Sequence, residues 1–142
     1  MYVFNTEARP LLEGSDGRWL EGRDPKALND ALRALRDVVP QDGTSLENAF
    51  AVIERMVPAP DNVIIVTDGL PTQGASAPPF RKTIDGEGRL RLFERAFGQY
   101  PKNIPFNVIL FPMEGDPNAA STFWVAARQT GGAFMSPSKD WP

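Results

Sequence analysis

Asn62-Val63-Ile64-Ile65-Val66-Thr67-Asp68-Gly69 is the stretch on which the fold of this chain turns. Four β-branched residues in a row favour extended backbone, because branching at Cβ restricts χ1 and suits a pleated surface. Apolar and polar residues do not alternate, so the run predicts a strand buried on both faces, an inner parallel strand with helices on either side. Asp68-Gly69 ends it with turn chemistry. Residues 105–111 contain a second run of the same character, Val108-Ile109-Leu110-Phe111.

Helical patterns flank both runs. Asp24-Pro25 starts a helix, with Asp as N-cap and Pro at the first helical position. Leu28, Leu32, Leu35 and Val39 then recur on one face. Thr44 caps a second helix, with Glu47 three residues on as its reciprocal partner, and Leu46, Phe50, Ile53 and Val57 mark its face. Residues 88–100 form a third helix with Phe93, Ala96, Phe97 and Tyr100 on one side. Asp116-Pro117 repeats the helix start, followed by Ala120, Phe123, Trp124 and Ala127, and Gly131-Gly132 closes that helix.

Residues 2–5 read as a short strand, and residues 8–12 as an extended piece that Pro10 confines to a sheet edge. Residues 133–135 read as a last short strand. Residues 70–86, with Pro71, Pro78 and Pro79, read as an exposed loop. The predicted order is strand, strand, helix, helix, strand, helix, strand, helix, strand. Alternation of helices with buried strands predicts one α/β domain over residues 1–142, with a mostly parallel sheet, helices on both faces and an antiparallel edge strand. Ligands of such sheets bind beyond the carboxyl ends of the strands.

Composition narrows the chemistry. The chain has 142 residues, 42% hydrophobic and 23% charged, which suits one folded domain. It has no cysteine and no histidine, which removes disulfides, zinc fingers, thiol nucleophiles and imidazole bases. Any bound metal must be a hard cation held by oxygen, such as Mg²⁺. A formal charge of −3 argues against nucleic acid as a partner. No apolar run approaches the roughly 20 residues that span a bilayer, so no membrane span is expected. Trp19, Trp124 and Trp141 read as packing residues. Arg81, Lys82, Arg89, Arg91 and Arg95 read as solvated charges.

Two residues stand out as site candidates. Asp68 lies at the carboxyl end of a predicted inner strand, where its carboxylate would face a binding crevice, although Asp-Gly is also an ordinary turn. Thr44 reads first as a helix cap, worth about 0.5–2 kcal/mol. A hydroxyl at a helix N-terminus can also face a bound ion.

Together these segments carry a resemblance. Gly43-Thr44-Ser45-Leu46-Glu47-Asn48-Ala49 opening a helix, then Val63-Ile64-Ile65-Val66-Thr67-Asp68-Gly69-Leu70-Pro71-Thr72, is similar to the second and third motifs of the von Willebrand factor A-type domain. Residues 104–111, Asp116-Pro117, Ala127, Thr130-Gly131-Gly132 and Phe134 resemble its last two strands and last long helix. The resemblance implies a three-layer, Rossmann-like fold and a protein-interaction module with a metal-ion-dependent adhesion site. It implies Mg²⁺ held through Thr44 and Asp68, with Asp42 as a neighbour, and a protein ligand that offers a carboxylate near Gly69, Leu70, Pro71 and Thr72. No catalysis is implied.

The family's first motif, Asp-x-Ser-x-Ser after a buried strand, has no counterpart. Glu13-Gly14-Ser15-Asp16 has the wrong order, and Ser136, Ser138 and Asp140 lie at the wrong end. By resemblance the chain starts at the family's second strand and covers its C-terminal three-quarters, as a portion of a longer protein. Two consequences are expected. Mg²⁺ binding should be weak or absent in this chain alone. The strand at residues 2–5 should close up against residues 63–66, or the unpaired strands give the chain a reason to self-associate. The competing reading is a Mg²⁺-dependent phosphoryl-transfer or hydrolytic enzyme of doubly wound type that uses Asp68.

Overall fold

In the computed structural model, which describes residues 1–76, 83–111 and 113–137, the elements run β1 (Tyr2–Phe4), β2 (Ala8–Pro10), α1 (Pro25–Arg36), α2 (Leu46–Arg55), β3 (Val63–Thr67), α3 (Gly86–Gln99), β4 (Phe106–Leu110), α4 (Ala119–Gln129) and β5 (Phe134–Met135). Their types and order are those the sequence predicts, and the protein is a mixed α/β chain. Pro78, Pro79, Arg81, Lys82, Ser138, Asp140 and Trp141 lie outside the described residues.

The parallel strands form a three-stranded sheet in the order β3-β4-β5, with Ile65 beside Val108 and Val108 beside Phe134. Successive side chains of a strand point to opposite faces. Ile65 of β3 and Phe106, Val108 and Leu110 of β4 therefore share one face, and α2, α3 and α4 cover it. Phe50, Phe93, Phe97, Tyr100, Phe106 and Phe123 interlock there. Phe50 meets the edge of Phe106 at 5.6 Å, and Phe93 meets the edge of Phe123 at 5.3 Å. Each such pair adds about 0.5–1.5 kcal/mol beyond burial.

Local signals position these helices. Asp24 caps α1 by accepting from the Lys26 N–H at 2.9 Å, and Asp85 caps α3 by accepting from Gly88 N–H at 2.8 Å. The cap of α2 is Ser45, which accepts from Asn48 N–H at 3.3 Å, and not Thr44. Glu47 does not reach back to close a capping box. It accepts from Ala75 N–H and pairs with Arg95 instead. In α4 the buried residues are Ala119, Phe123, Ala126 and Ala127, while Trp124 lies exposed against Arg128, 4.7 Å from its ring. Trp19 is exposed as well, its indole N–H donating to Pro58 O at 2.9 Å.

β3 is not an inner strand. Ile64 is 68% and Val66 55% exposed. They point away from α2, α3 and α4, and nothing among the described residues covers them. Among the described residues β3 pairs with β4 alone. Val63 N–H donates to Pro105 O and Thr67 O accepts from Phe111 N–H, so residues 63, 65 and 67 address β4. In a parallel ladder the alternate residues address the other side. The main-chain groups of Ile64 and Val66 therefore lie on a free edge.

β1 does not close that edge. It pairs antiparallel with β2 in a separate two-stranded sheet. Leu11 N–H donates to Met1 O and Asn5 N–H to Glu7 O, so residues 1, 3 and 5 address β2. Tyr2 and Phe4 address the side away from it. Pro10 sits opposite Tyr2 in a pair that does not exchange hydrogen bonds, so its missing N–H costs nothing there.

The leucine face of α1 is likewise uncovered. Leu28, Leu32 and Leu35 are half or more exposed, Val39 is exposed, and only Ala31 of α1 is buried. The spacing correctly gives a helix, but its apolar stripe has no partner among the described elements.

Tyr100 sits in the core at 2% exposure, and burial pushes its phenol up to about 12 from an ordinary 10.0. A raised folded-state value means stability is complete below the unfolded value and is lost as pH rises through the folded one. Urea unfolding should therefore show a flat midpoint up to about pH 10 and a decline towards pH 12. In Tyr100→Phe most of that decline should vanish; an unchanged decline would place its origin elsewhere.

Candidate functional site

Past the carboxyl end of β3 the chain makes a tight, fully pinned turn. Thr67 is buried, and its hydroxyl donates to Gly69 O at 3.1 Å. Leu70, with no exposed surface, is held at both ends of its main chain. Its N–H donates to Asp116 Oδ2 at 2.7 Å, and its carbonyl accepts from Arg89 Nε at 3.1 Å and Nη2 at 2.6 Å. Arg89 Nη1 stands 3.3 Å from the same Asp116 oxygen, with side-chain exposures of 11% and 0%. A Cβ on Gly69 would lie 2.7 Å from Asp116 Oδ2 and 2.9 Å from Arg89 Nη2, so this ion pair is why the turn needs glycine.

Neither partner of that pair is legible in the sequence. Asp116 reads as a helix start and Arg89 as a solvated charge. The structure makes them a buried clamp that leaves Asp68 outside, exposed, with its carbonyl accepting from Met113 N–H at 3.2 Å. Arg91 is the exposed residue expected, paired with Glu87 at 3.4 Å. Arg95 is tied to Glu47.

The loop before α2 is fastened to the same turn. Thr44 N–H donates to Thr72 Oγ1 at 2.8 Å, and Thr44 O accepts from Thr72 N–H at 2.9 Å and Gln73 N–H at 3.1 Å. A Cβ on Gly43 would meet Thr72 Oγ1 at 2.8 Å. Gly43 thus permits the close approach that brings Thr44 beside the strand end. Residues 70–74 are consequently not the exposed loop the prolines suggest. Gly69, Leu70, Pro71, Gln73 and Gly74 are buried, and only Thr72 of that run is half-exposed.

Thr44 and Asp68 lie on the lining of one cleft. Its volume is about 390 Å³, and Asp42 and Gly43 from the Thr44 loop, Phe4 of β1 and Val66 of β3 line it too. Asp42 holds a left-handed backbone at φ 64°, which Asp tolerates better than most residues. Of the four residues expected to meet a partner, Gly69, Leu70 and Pro71 present no side-chain surface. Of the neighbouring residues Asp68 lines the cleft, and Thr72 is half-exposed beside it with its Oγ1 accepting from Thr44 N–H.

The oxygen-bearing side chains lining this cleft are Asp42 and Asp68, Thr44 and Thr67, and the amides Asn5 and Gln41, with the Thr67 hydroxyl already donating to Gly69 O. No group of three acidic, histidine or cysteine side chains is arranged for a metal among the described residues. Mg²⁺ requires six oxygens in near-octahedral array and keeps its water readily. The residues therefore fit a largely hydrated cation touched by Thr44 and Asp68, and do not fit a caged one. No helix among the described residues is long and apolar enough to cross a membrane.

The clamp is testable by paired substitutions. Arg89→Met leaves the Asp116 carboxylate buried without its counterion and should cost about 3–5 kcal/mol in urea unfolding. Arg89→Met combined with Asp116→Leu should recover much of that loss, because the stranded charge is gone. A double variant as unstable as the sum of the two single ones would show that the pair does not act as a unit.

No family model, curated protein or solved structure matches this chain.

Proposed function

We propose that the chain is a protein-interaction module of the von Willebrand factor A type, a three-layered fold, carrying residues that match two of the three loops of a metal-ion-dependent adhesion site. The observation that carries this reading is the convergence of Thr44 and Asp68 on one cleft at the carboxyl end of a parallel strand. Two separate glycine-dependent contacts fasten those loops, one through Thr72 and one through Asp116. Such effort at a strand end suits a site that must hold two oxygen ligands in fixed relation. The cation would be Mg²⁺, and a partner carboxylate would complete its coordination. Gly69, Leu70 and Pro71 act beneath the surface, so Asp68 and Thr72 would meet the partner.

The uncovered edge and face of β3 favour the same reading. An inner strand of a three-layered sheet needs a neighbour on each side and helices on both faces, and β3 has the composition of such a strand with half of that environment.

Mg²⁺ titrated into the full chain and followed by NMR should bind with a dissociation constant weaker than about 10⁻⁴ M. Shifts should centre on residues 42–44 and 68. Asp68→Asn should abolish the response and Thr44→Val should weaken it. A micromolar site, or a response unchanged in Asp68→Asn, would overturn the reading. Phosphatase activity lost in Asp68→Asn would mark the competing enzyme instead.

A further inference from the structure

Asp-Gly occurs four times in this chain, at residues 16–17, 42–43, 68–69 and 85–86. An aspartate followed by glycine can isomerise without an enzyme, because glycine has no Cβ to keep its main-chain nitrogen away from the preceding carboxyl carbon. The glycine nitrogen bonds to Asp Cγ, and one carboxyl oxygen leaves as water, taking the amide proton and one proton from solvent. Water then opens the five-membered imide. Opening at the former main-chain carbonyl leaves the chain running through Cγ as an isoaspartyl link, and the new carboxylate returns the proton, with no net change of mass. All four carboxylates are exposed, so access of water does not choose among them. What differs is the freedom of each nitrogen to turn towards Cγ.

Three of the four pairs are tied down. Gly17 N–H donates to the Tyr2 hydroxyl at 2.6 Å, and that hydroxyl donates to Asp16 Oδ1 at 3.0 Å, so one phenol holds both nitrogen and carboxylate. Asp85 caps α3. Its Oδ1 accepts from Gly88 N–H at 2.8 Å and its carbonyl from Arg89 N–H at 2.9 Å, with Gly86 already in the helix. Asp68 and Gly69 sit in the pinned turn. There Asp68 O accepts from Met113 N–H, Gly69 N–H donates to Thr67 Oγ1 at 3.5 Å, and Asp116 holds Leu70 N–H. Reaction at any of these pairs must first break such bonds.

Asp42-Gly43 is held on one side only. From Val39 to Gly43 no main-chain N–H donates a hydrogen bond among the described residues. Asp42 alone of the four aspartates has a left-handed backbone, at φ 64°, a conformation that costs an L-residue energy and that ring closure is free to leave. Beyond Gly43 the chain is fixed at once. Thr44 N–H donates to Thr72 Oγ1 at 2.8 Å, and a Cβ on Gly43 would meet Thr72 Oγ1 at 2.8 Å and Gln73 Oε1 at 3.1 Å. The methylene that isomerisation adds to the main chain is therefore taken up by residues 39–42, and Thr44 stays in place.

We propose that Asp42-Gly43 is a modification site at which the folded protein converts aspartate to isoaspartate, selected from the four pairs by the hydrogen bonds that hold the other three. The conversion alters the cleft, because Asp42 lies on its lining with Asp68. The carboxylate, carried before on Cβ, becomes attached directly to Cα and is drawn in by one carbon. The product is a substrate for the class of enzyme that methylates isoaspartyl carboxylates from S-adenosylmethionine. Isomerisation needs no cation, so its outcome is independent of the adhesion-site reading.

The test ages the full chain at neutral pH in oxygen-18 water, digests it with trypsin in ordinary water and reads each peptide by mass spectrometry. The four pairs fall in four different tryptic peptides, residues 1–18, 37–55, 56–81 and 83–89. Expected is oxygen-18 uptake with an isoaspartyl isomer in residues 37–55, at least about tenfold faster than in the other three, whose hydrogen bonds must open first. In urea, where those bonds are gone, the four rates should converge. Asp42→Glu, which closes only to a slower six-membered imide, should remove the label from residues 37–55 and leave the circular dichroism unchanged. Comparable rates at all four pairs in the folded chain, no label in residues 37–55, label there that persists in Asp42→Glu, or a preference that survives urea would overturn the proposal.

Discussion

Main-chain pairing on one edge only is the condition from which the rest of this structure follows. β3 gives its odd-numbered residues to β4 and leaves the main-chain groups of Ile64 and Val66 on its other edge, where Val66 lines a cleft. If the cleft collapsed dry around them, each unpaired group would cost about 1–3 kcal/mol. A cleft open to solvent avoids that cost, since exposed main-chain groups can bond to water. The same openness leaves Ile64 and Val66 exposed, keeps β1 and β2 in a sheet of their own, and leaves the leucine stripe of α1 without cover. Stability then rests on one face of one sheet, where the aromatic cluster of α2, α3 and β4 is fully buried.

The pinned turn explains how a chain with so open a middle still presents an ordered strand end. Asp116 and Arg89 are 46 and 19 residues from Leu70 in sequence, yet both bind its main chain. Thr72 reaches back 28 residues to Thr44. These tethers do not depend on any neighbour at the free edge of β3. Asp68 and Thr44 are thereby held on the lining of the cleft.

Much of the fold is legible in the sequence because its signals are local. Capping by Asp24, the phenylalanine spacing of α3, the β-branched run at 63–66 and the apolar run at 108–111 each declare an element through its own neighbours, and the elements among the described residues follow in order. Burial is another matter. The run Val63–Val66 is written for two covered faces, and Leu28, Leu32, Leu35 for one, but periodicity reports what a segment could bury and not whether a partner is present. The cap of α2 falls on Ser45 because tertiary bonds to Thr72 and Gln73 claim the main chain of Thr44. The clamp is unreadable for a similar reason, since nothing near Asp116 or Arg89 reveals that they meet. Thr44 and Asp68 were readable from their places at a helix start and a strand end, and their shared cleft is a property of the tertiary structure.

Native-state hydrogen exchange along β3 tests the interrupted sheet most directly. In the chain alone, the amides of Ile65 and Thr67 should be strongly protected, while those of Ile64 and Val66 exchange near the rate of exposed backbone. Uniform protection from residue 63 to residue 67 would mean that β3 has a neighbour on both sides, and the account built on its free edge would be wrong.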